Sequence, residues 1–248
     1  SQTTLVAERF FDEAGGMQLV LHAPFGSRVM RAWGMALRKR FCRTFDFELQ
    51  AAATEDGLLL SLGEQHSFPL ADIFDFLSPN NVEEVLVQAV LQAPLFGTRF
   101  RWNATRALSL SRFSSGKRVA PNLQRARSED LLAAVFPAQV GCQDNHHGVD
   151  VELPDHPLVN QTMRDCLTEA MDVEGLRRVL QEMKAGRIQL IARDVPEPSV
   201  FAHQMVNSQP YTFLDDAPAE ERRVRNVVLR RTLPAEDTAA FGALDASA

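Results

Sequence analysis

The apolar-rich runs Thr4–Phe11 (TLVAERFF) and Met17–His22 (MQLVLH) read as two β-strands. A turn through Gly15-Gly16 predicts that these two strands pair. From Ser27, a suitable N-cap, the apolar spacing changes to three and four residues. Val29, Met30, Trp33, Ala36, Leu37 and Phe41 then share one side of a helix reaching about Arg43, with Arg28, Arg31, Arg38 and Lys39 opposite. Trp33 becomes a core anchor, and Arg40, placed among the apolar positions, needs a buried partner. Phe45–Ala53 and Gly57–Leu62 predict a second hairpin, turned at Asp56-Gly57.

Beyond residue 63 the pattern turns mainly helical. Leu70–Leu77 reads as a short helix and Val82–Gln92 as an amphipathic one with Glu83 and Glu84 in its first turn. Pro94 stops that helix and starts the next. There Phe96, Phe100, Ala104, Ala107 and Leu108 line the buried side, while Arg99, Trp102 and Arg106 line the exposed one. Ser111–Ala120 has the makeup of a mobile basic loop, and Ser128-Glu129-Asp130 predicts a capped helix through Phe136. Helices are expected over Leu158–Met171, Val173–Ala185, Val200–Ser208 and Ala219–Arg231, with a strand over Ile188–Asp194. The expected fold class is α+β, a largely antiparallel sheet with packed helices and a helical C-terminal half. Residues 1–231 form one domain, and the Ala/Asp-rich residues 232–248 form a flexible tail or linker.

Composition narrows the class. A 248-residue chain that is 45% hydrophobic can bury a proper core and does not read as disordered. Every apolar run is interrupted by charge before the roughly 18 residues of a membrane span. The first residues lack the pattern of a secretory signal. Cys42, Cys142 and Cys166 are odd in number and widely spaced, against a disulfide framework or a zinc knuckle and in favour of a reduced, cytoplasmic location.

Charge changes the picture most. The chain carries a net charge of -6, yet Phe96–Arg127 holds Arg99, Arg101, Arg106, Arg112, Lys117, Arg118, Arg125 and Arg127 with no Asp or Glu. Such a block faces either a polyanion or solvent. The candidate nucleic-acid contacts are Arg99, Trp102 and Arg106 first, then Arg28, Arg31, Arg112, Lys117 and Arg118. Guanidinium and ammonium groups would neutralise phosphates, and the indole would stack on a base. Trp102 serves equally well as an aromatic covering a neighbouring domain.

Other chemistry is thin. Asp12-Glu13-Ala14 superficially resembles a helicase box, but no GxxxxGK[ST] loop precedes it, so no nucleotide cofactor is expected in this chain. Asp144, His146, His147 and Asp150, with His156 nearby, form a metal-like cluster whose spacing matches no zinc pattern. It reads as a surface loop, with a metal-dependent nuclease or base-processing site as the alternative. No Gly-x-Ser-x-Gly elbow or readable Cys/His pair nominates a nucleophile.

Six stretches carry a resemblance. They are VAERFFDEAGGMQLVLHAPFGSRVMRAWGMALRKRFC (Val6–Cys42), FELQAAATEDGLLLSLG (Phe47–Gly63), APLFGTRFRWNATRALSL (Ala93–Leu110), RARSEDLLAAVFP (Arg125–Pro137), DHPLVNQTMRDCLTEAMDVEGL (Asp155–Leu176) and ARDVPEPSVFAHQMVNSQPYTFLDDAPAEERR (Ala192–Arg223). Together they resemble the DEAD/H-associated region of the large helicase-related proteins (Lhr) of superfamily 2. The resemblance implies a fourth domain that follows two RecA-like motor domains and a winged-helix domain. It implies a parent protein that is an ATP-driven 3′-to-5′ translocase on single-stranded DNA, unwinds duplexes including RNA:DNA hybrids, and is linked to DNA repair. ATP and Mg would bind in the motor domains, and no catalytic residue is implied here. Implied partners are single-stranded DNA or an RNA:DNA hybrid, and the winged-helix and RecA-like domains. Against those domains the same arginines could dock instead, and an Arg222–Arg231 helix could be a further interaction module.

Overall fold

The computed structural model describes residues 3–11, 16–45, 49–62, 68–139 and 150–206. Strands β1 (Thr4–Phe11), β2 (Met17–His22), β3 (Leu49–Ala53), β4 (Gly57–Leu62) and β7 (Gln189–Asp194) form one sheet in the order β3-β4-β2-β1-β7. Neighbours are antiparallel except β1 and β7, which run parallel with Thr4 opposite Gln189 and Arg9 opposite Asp194. The fold is α+β, as the sequence predicts. The parallel closing pair is new: it returns the chain after a long helical excursion to the strand where it began.

The two faces of the sheet differ in cover. Leu5, Ala7, Met17, Leu19, Leu21, Ala51, Leu58 and Leu60 face the main core. Against them packs α1 (Ser27–Phe45), which buries Met30, Trp33, Ala36, Leu37 and Phe41 along the predicted stripe. Phe10, Val20, Ala52 and Leu59 face the other way, under Ala202, Met205 and Val206 of the short helix α7 (Val200–Val206). Central β2 is therefore buried on both faces. Arg40 finds its partner, its Nε donating to the Phe76 carbonyl at 3.0 Å.

Glu8 fixes the second face. It is buried on β1, and its carboxyl oxygens accept from the Ser199 amide at 2.5 Å and the Ser199 hydroxyl at 2.7 Å. The His22 Nε2 lies 2.9 Å away. Ser199 Oγ also accepts from the Ala202 amide at 3.3 Å, so Glu8 holds the residue that caps α7.

Several boundaries move. Phe45 belongs to α1 and not to a strand, and β3 starts at Leu49. The Leu70–Leu77 helix is a 3-10 turn over Leu70–Phe74. Gly57 does not adopt a positive φ. Its glycine answers to space, because a Cβ there would sit 2.4 Å from the Leu21 carbonyl oxygen. The tail 232–248, the expected helix over residues 219–231 and the loop residues 144–149 lie outside the described residues.

Replacing Glu8 by Ala removes three polar contacts around a buried site. The expected loss is about 2–3 kcal/mol of unfolding free energy, read by urea denaturation. An unchanged midpoint would contradict this account of α7.

Candidate nucleic-acid interface

The middle of the chain is a stack of helices. Helix α2 (Val82–Leu91) ends just before Pro94, which opens α3 (Pro94–Arg106). Helix α3 lies against α4 (Pro121–Val135) and α5 (Pro157–Asp165), the latter prolonged by a π turn over Cys166–Ala170. Phe96, Phe100 and Ala104 of α3 are fully buried, and Phe96 meets Phe136 edge-on with ring centroids 6.4 Å apart. That burial turns Arg99, Trp102 and Arg106 away from the core.

A polar lock fixes the same rotation. Asn103, buried on α3, donates from Nδ2 to Asp165 Oδ2 at 2.8 Å and to Thr162 Oγ1 at 3.3 Å. Asp165 is buried as well, and its second oxygen accepts from Gln161 Nε2 at 2.6 Å. Thr162 donates to the Leu158 carbonyl at 2.6 Å. Each buried polar atom of this cluster thus has a partner, as the interior demands. Sequence reasoning missed Asn103, whose one signal was a polar residue inside an apolar arc. Its partner, 62 positions away, left no such signal.

The predicted contact residues separate into two groups. The Arg99 guanidinium bonds Glu169 at 2.8 Å and lies 5.0 Å from the centre of the Trp102 ring. Its side chain is only 17% exposed. Arg28 is likewise engaged, donating to the Thr168 carbonyl and, at 3.1 Å, to the Met171 carbonyl. It places a cation at the end of the π turn, where the carbonyls of a helix terminus collect negative potential. These two arginines serve the fold, and Glu169 and the helix terminus they satisfy were not foreseen.

Trp102 is 47% exposed, with Arg99 on one ring face. Arg31, Arg106, Arg112, Lys117 and Arg118 are exposed, and among the described residues none forms an ion pair. Arg125 and Arg127 on α4 are exposed too. The α3–α4 segment thus carries Arg106, Arg112, Lys117, Arg118, Arg125 and Arg127 without an ion pair among the described residues, while Arg9, Arg43, Arg177 and Arg187 pair with carboxylates elsewhere.

Three expectations for this region change. Ala107 and Leu108 are exposed, because α3 ends at Arg106. Leu108 adopts φ 61°, and the Leu110 amide turns back to the Ala104 carbonyl at 3.1 Å. Ser128 is not a helix start. It is buried inside α4, which begins at Pro121 after the extended Ala120. The basic loop is an ordered hairpin, β5 (Phe113–Ser114) and β6 (Lys117–Arg118), turned through Ser115 at φ 51° and Gly116 at φ 74°.

Other candidate chemistry stays apart from this surface. Asp150 pairs with Arg43, and the His156 ring caps α5 by accepting from the Leu158 amide at 3.3 Å. No group of three or more metal-ligating side chains occurs among the described residues. No described helix is long and apolar enough to cross a membrane. Burial pushes the Cys166 thiol up to about 12, with nearby Arg99 opposing and Asp165 adding to the shift. Such a thiol stays protonated and is a poor nucleophile.

Two outcomes follow. Asn103→Leu and Asp165→Leu should each cost about 1–3 kcal/mol, because each leaves a buried polar partner unsatisfied. The double variant should cost less than their sum, read as a double-mutant cycle in urea; strict additivity would show that the pair is not coupled. Cys166 should resist iodoacetamide at pH 8 in the native state and react on unfolding, as peptide mass spectrometry would reveal.

Comparison with known proteins places this architecture. The sequence pattern of the family described as DEAD/H associated matches residues 1–202. The Lhr helicase/probable uracil glycosylase of Mycolicibacterium smegmatis is 30% identical over 239 residues, covering 95% of this chain and 15% of that protein. The Lhr helicase/uracil glycosylase of Escherichia coli K12 is 30% identical over 222 residues, covering 88% of this chain and 13% of that protein. A solved structure of Mycobacterium smegmatis helicase Lhr bound to ssDNA and AMP-PNP superposes with a TM-score of 0.68 at 30% identity, over 83% of this chain and 24% of that one. The chain therefore spans a small part of the length of these relatives. The family match spans the sheet, the helical stack and the basic segment, and the chain belongs to the DEAD/H-associated family of Lhr-type helicases.

Proposed function

We propose that this chain is the accessory domain of an ATP-dependent Lhr-type DNA helicase and guides single-stranded nucleic acid across the outward side of α3. The observation that carries the reading is the concentration of unpaired cations and an exposed tryptophan on one segment of an acidic chain. The related helicase solved with ssDNA supports it. In mechanism, Arg106, Arg112, Lys117 and Arg118 neutralise backbone phosphates and release counterions. Trp102, backed by Arg99, offers its outer ring face to a base. Arg99 and Arg28 act indirectly by holding the π turn against α3 and α1.

The remaining surfaces dock on winged-helix and RecA-like domains of the same polypeptide. ATP and Mg are handled there, the translocation is 3′-to-5′, and the substrates include RNA:DNA hybrids. The work is DNA repair in the cytoplasm. A hydrolytic centre in this chain is not needed by that scheme.

Fluorescence anisotropy of labelled single-stranded DNA across a salt series tests the reading. Wild type should bind with a log–log salt slope that falls by about 0.7 for each phosphate-contacting arginine removed. Arg106→Ala should lower that slope. Trp102→Ala should weaken binding by about 1–3 kcal/mol while leaving the slope unchanged. Absence of binding by wild type at low salt would overturn the proposal and make this segment a domain interface.

A further inference from the structure

The β5–β6 hairpin leaves the end of α3 that carries Arg106 and returns into Pro121 of α4. Its base is anchored, since Leu110 and Val119 are buried and the Val119 amide donates to the Arg112 carbonyl at 2.9 Å. Its turn is held tight by two positive φ angles, at Ser115 and Gly116. On this projection Phe113 is 61% exposed. The strand register sets Phe113 directly opposite Arg118, and Ser114 opposite Lys117. Cross-strand partners share a face, so one face of the hairpin presents an aromatic ring beside a guanidinium, and the other presents an ammonium.

An exposed phenylalanine alone is unremarkable on a protein surface. This one is fastened to a two-strand hairpin with no apolar neighbour across the ladder, and every ionisable side chain from Arg99 to Arg127 is basic. A partner surface of ordinary protein would bring mixed charge, whereas nucleic acid brings phosphates for the cations and a base for the ring. An aromatic ring stacks on any base and a cation beside it pairs with phosphate, a combination that favours a single strand with little sequence preference. We propose that Phe113 is a base-stacking platform and that the hairpin is a second contact for single-stranded nucleic acid, beyond Trp102. The inference rests on the reading of this segment as a nucleic-acid surface and adds the aromatic that the charge pattern does not reveal.

The test uses the 248-residue chain and two labelled 12-mers, oligothymidylate and an all-abasic oligomer that keeps the phosphates and lacks the bases. Phe113→Leu should weaken oligothymidylate binding roughly tenfold, leave abasic binding as in wild type and keep the salt slope. Phe113→Trp should bind like wild type, with its emission quenched by oligothymidylate more than by the abasic strand. Arg118→Ala should weaken both oligomers alike. Equal oligothymidylate affinity for Phe113→Leu and wild type would overturn the stacking role, while a lowered slope in Arg118→Ala would leave the broader reading intact. Equal losses on both oligomers would also overturn it, marking Phe113 as a support for the hairpin. Failure of wild type to bind either oligomer would overturn both.

Discussion

The outward presentation of α3 depends on a buried hydrogen bond. Asn103 and Asp165, each sealed from solvent, meet at 2.8 Å between α3 and α5. Apolar burial of Phe96, Phe100 and Ala104 would tolerate a modest rotation of the helix, because dispersion contacts carry little direction. A directional bond between two buried groups does not, since rotation would strand both. Rotation by one residue, about 100°, would also carry Trp102 or Arg106 toward the core. The lock thus links packing to the chemistry of the surface.

A second constraint is electrostatic. The chain is acidic overall, and many of its cations are spent on its own architecture. Arg9 joins β1 to β7 through Asp194, Arg177 joins α6 (Val173–Lys184) to α2 through Glu83, and Arg28 ties α1 to the π turn. Exposed pairs of this kind each contribute little to stability and chiefly fix geometry. Six exposed cations without an ion pair among the described residues fall between Arg106 and Arg127, where no carboxylate competes, while others such as Arg31, Arg178 and Arg193 lie elsewhere. A protein of net negative charge can in this way carry a locally cationic segment.

Much of this was legible from the chain alone. The strands, the Trp33 stripe and the sidedness of α3 follow from local sequence, and for the helices side-chain periodicity reports the buried face directly. The family likeness was legible in the same stretches. Long-range pairings were not. The parallel β1–β7 closure, the hold of Glu8 on Ser199 and the Asn103–Asp165 lock each join residues tens to hundreds of positions apart. Local chemistry also misled twice. Ser128 has the sequence of an N-cap but is swallowed by a helix that Pro121 starts earlier, and the Ser/Gly/Lys/Arg composition of residues 111–120 hid a hairpin whose turn needs only Ser115 and Gly116 at positive φ. Among the candidate contacts, charge could not say which cations the fold had already engaged. Arg99 and Arg28 are held by partners that only the tertiary structure supplies.

The claim at the centre is that a single strand runs along the outer side of α3 and over the hairpin. Photocrosslinking with oligonucleotides carrying 5-iodouracil at successive positions, followed by sequencing of the adducted peptides, addresses it most directly. The account predicts adducts at Trp102 and within residues 106–118, shifting along that segment as the iodouracil is moved along the strand. Adducts confined to α6 or β7, with none on the α3–hairpin segment, would contradict it.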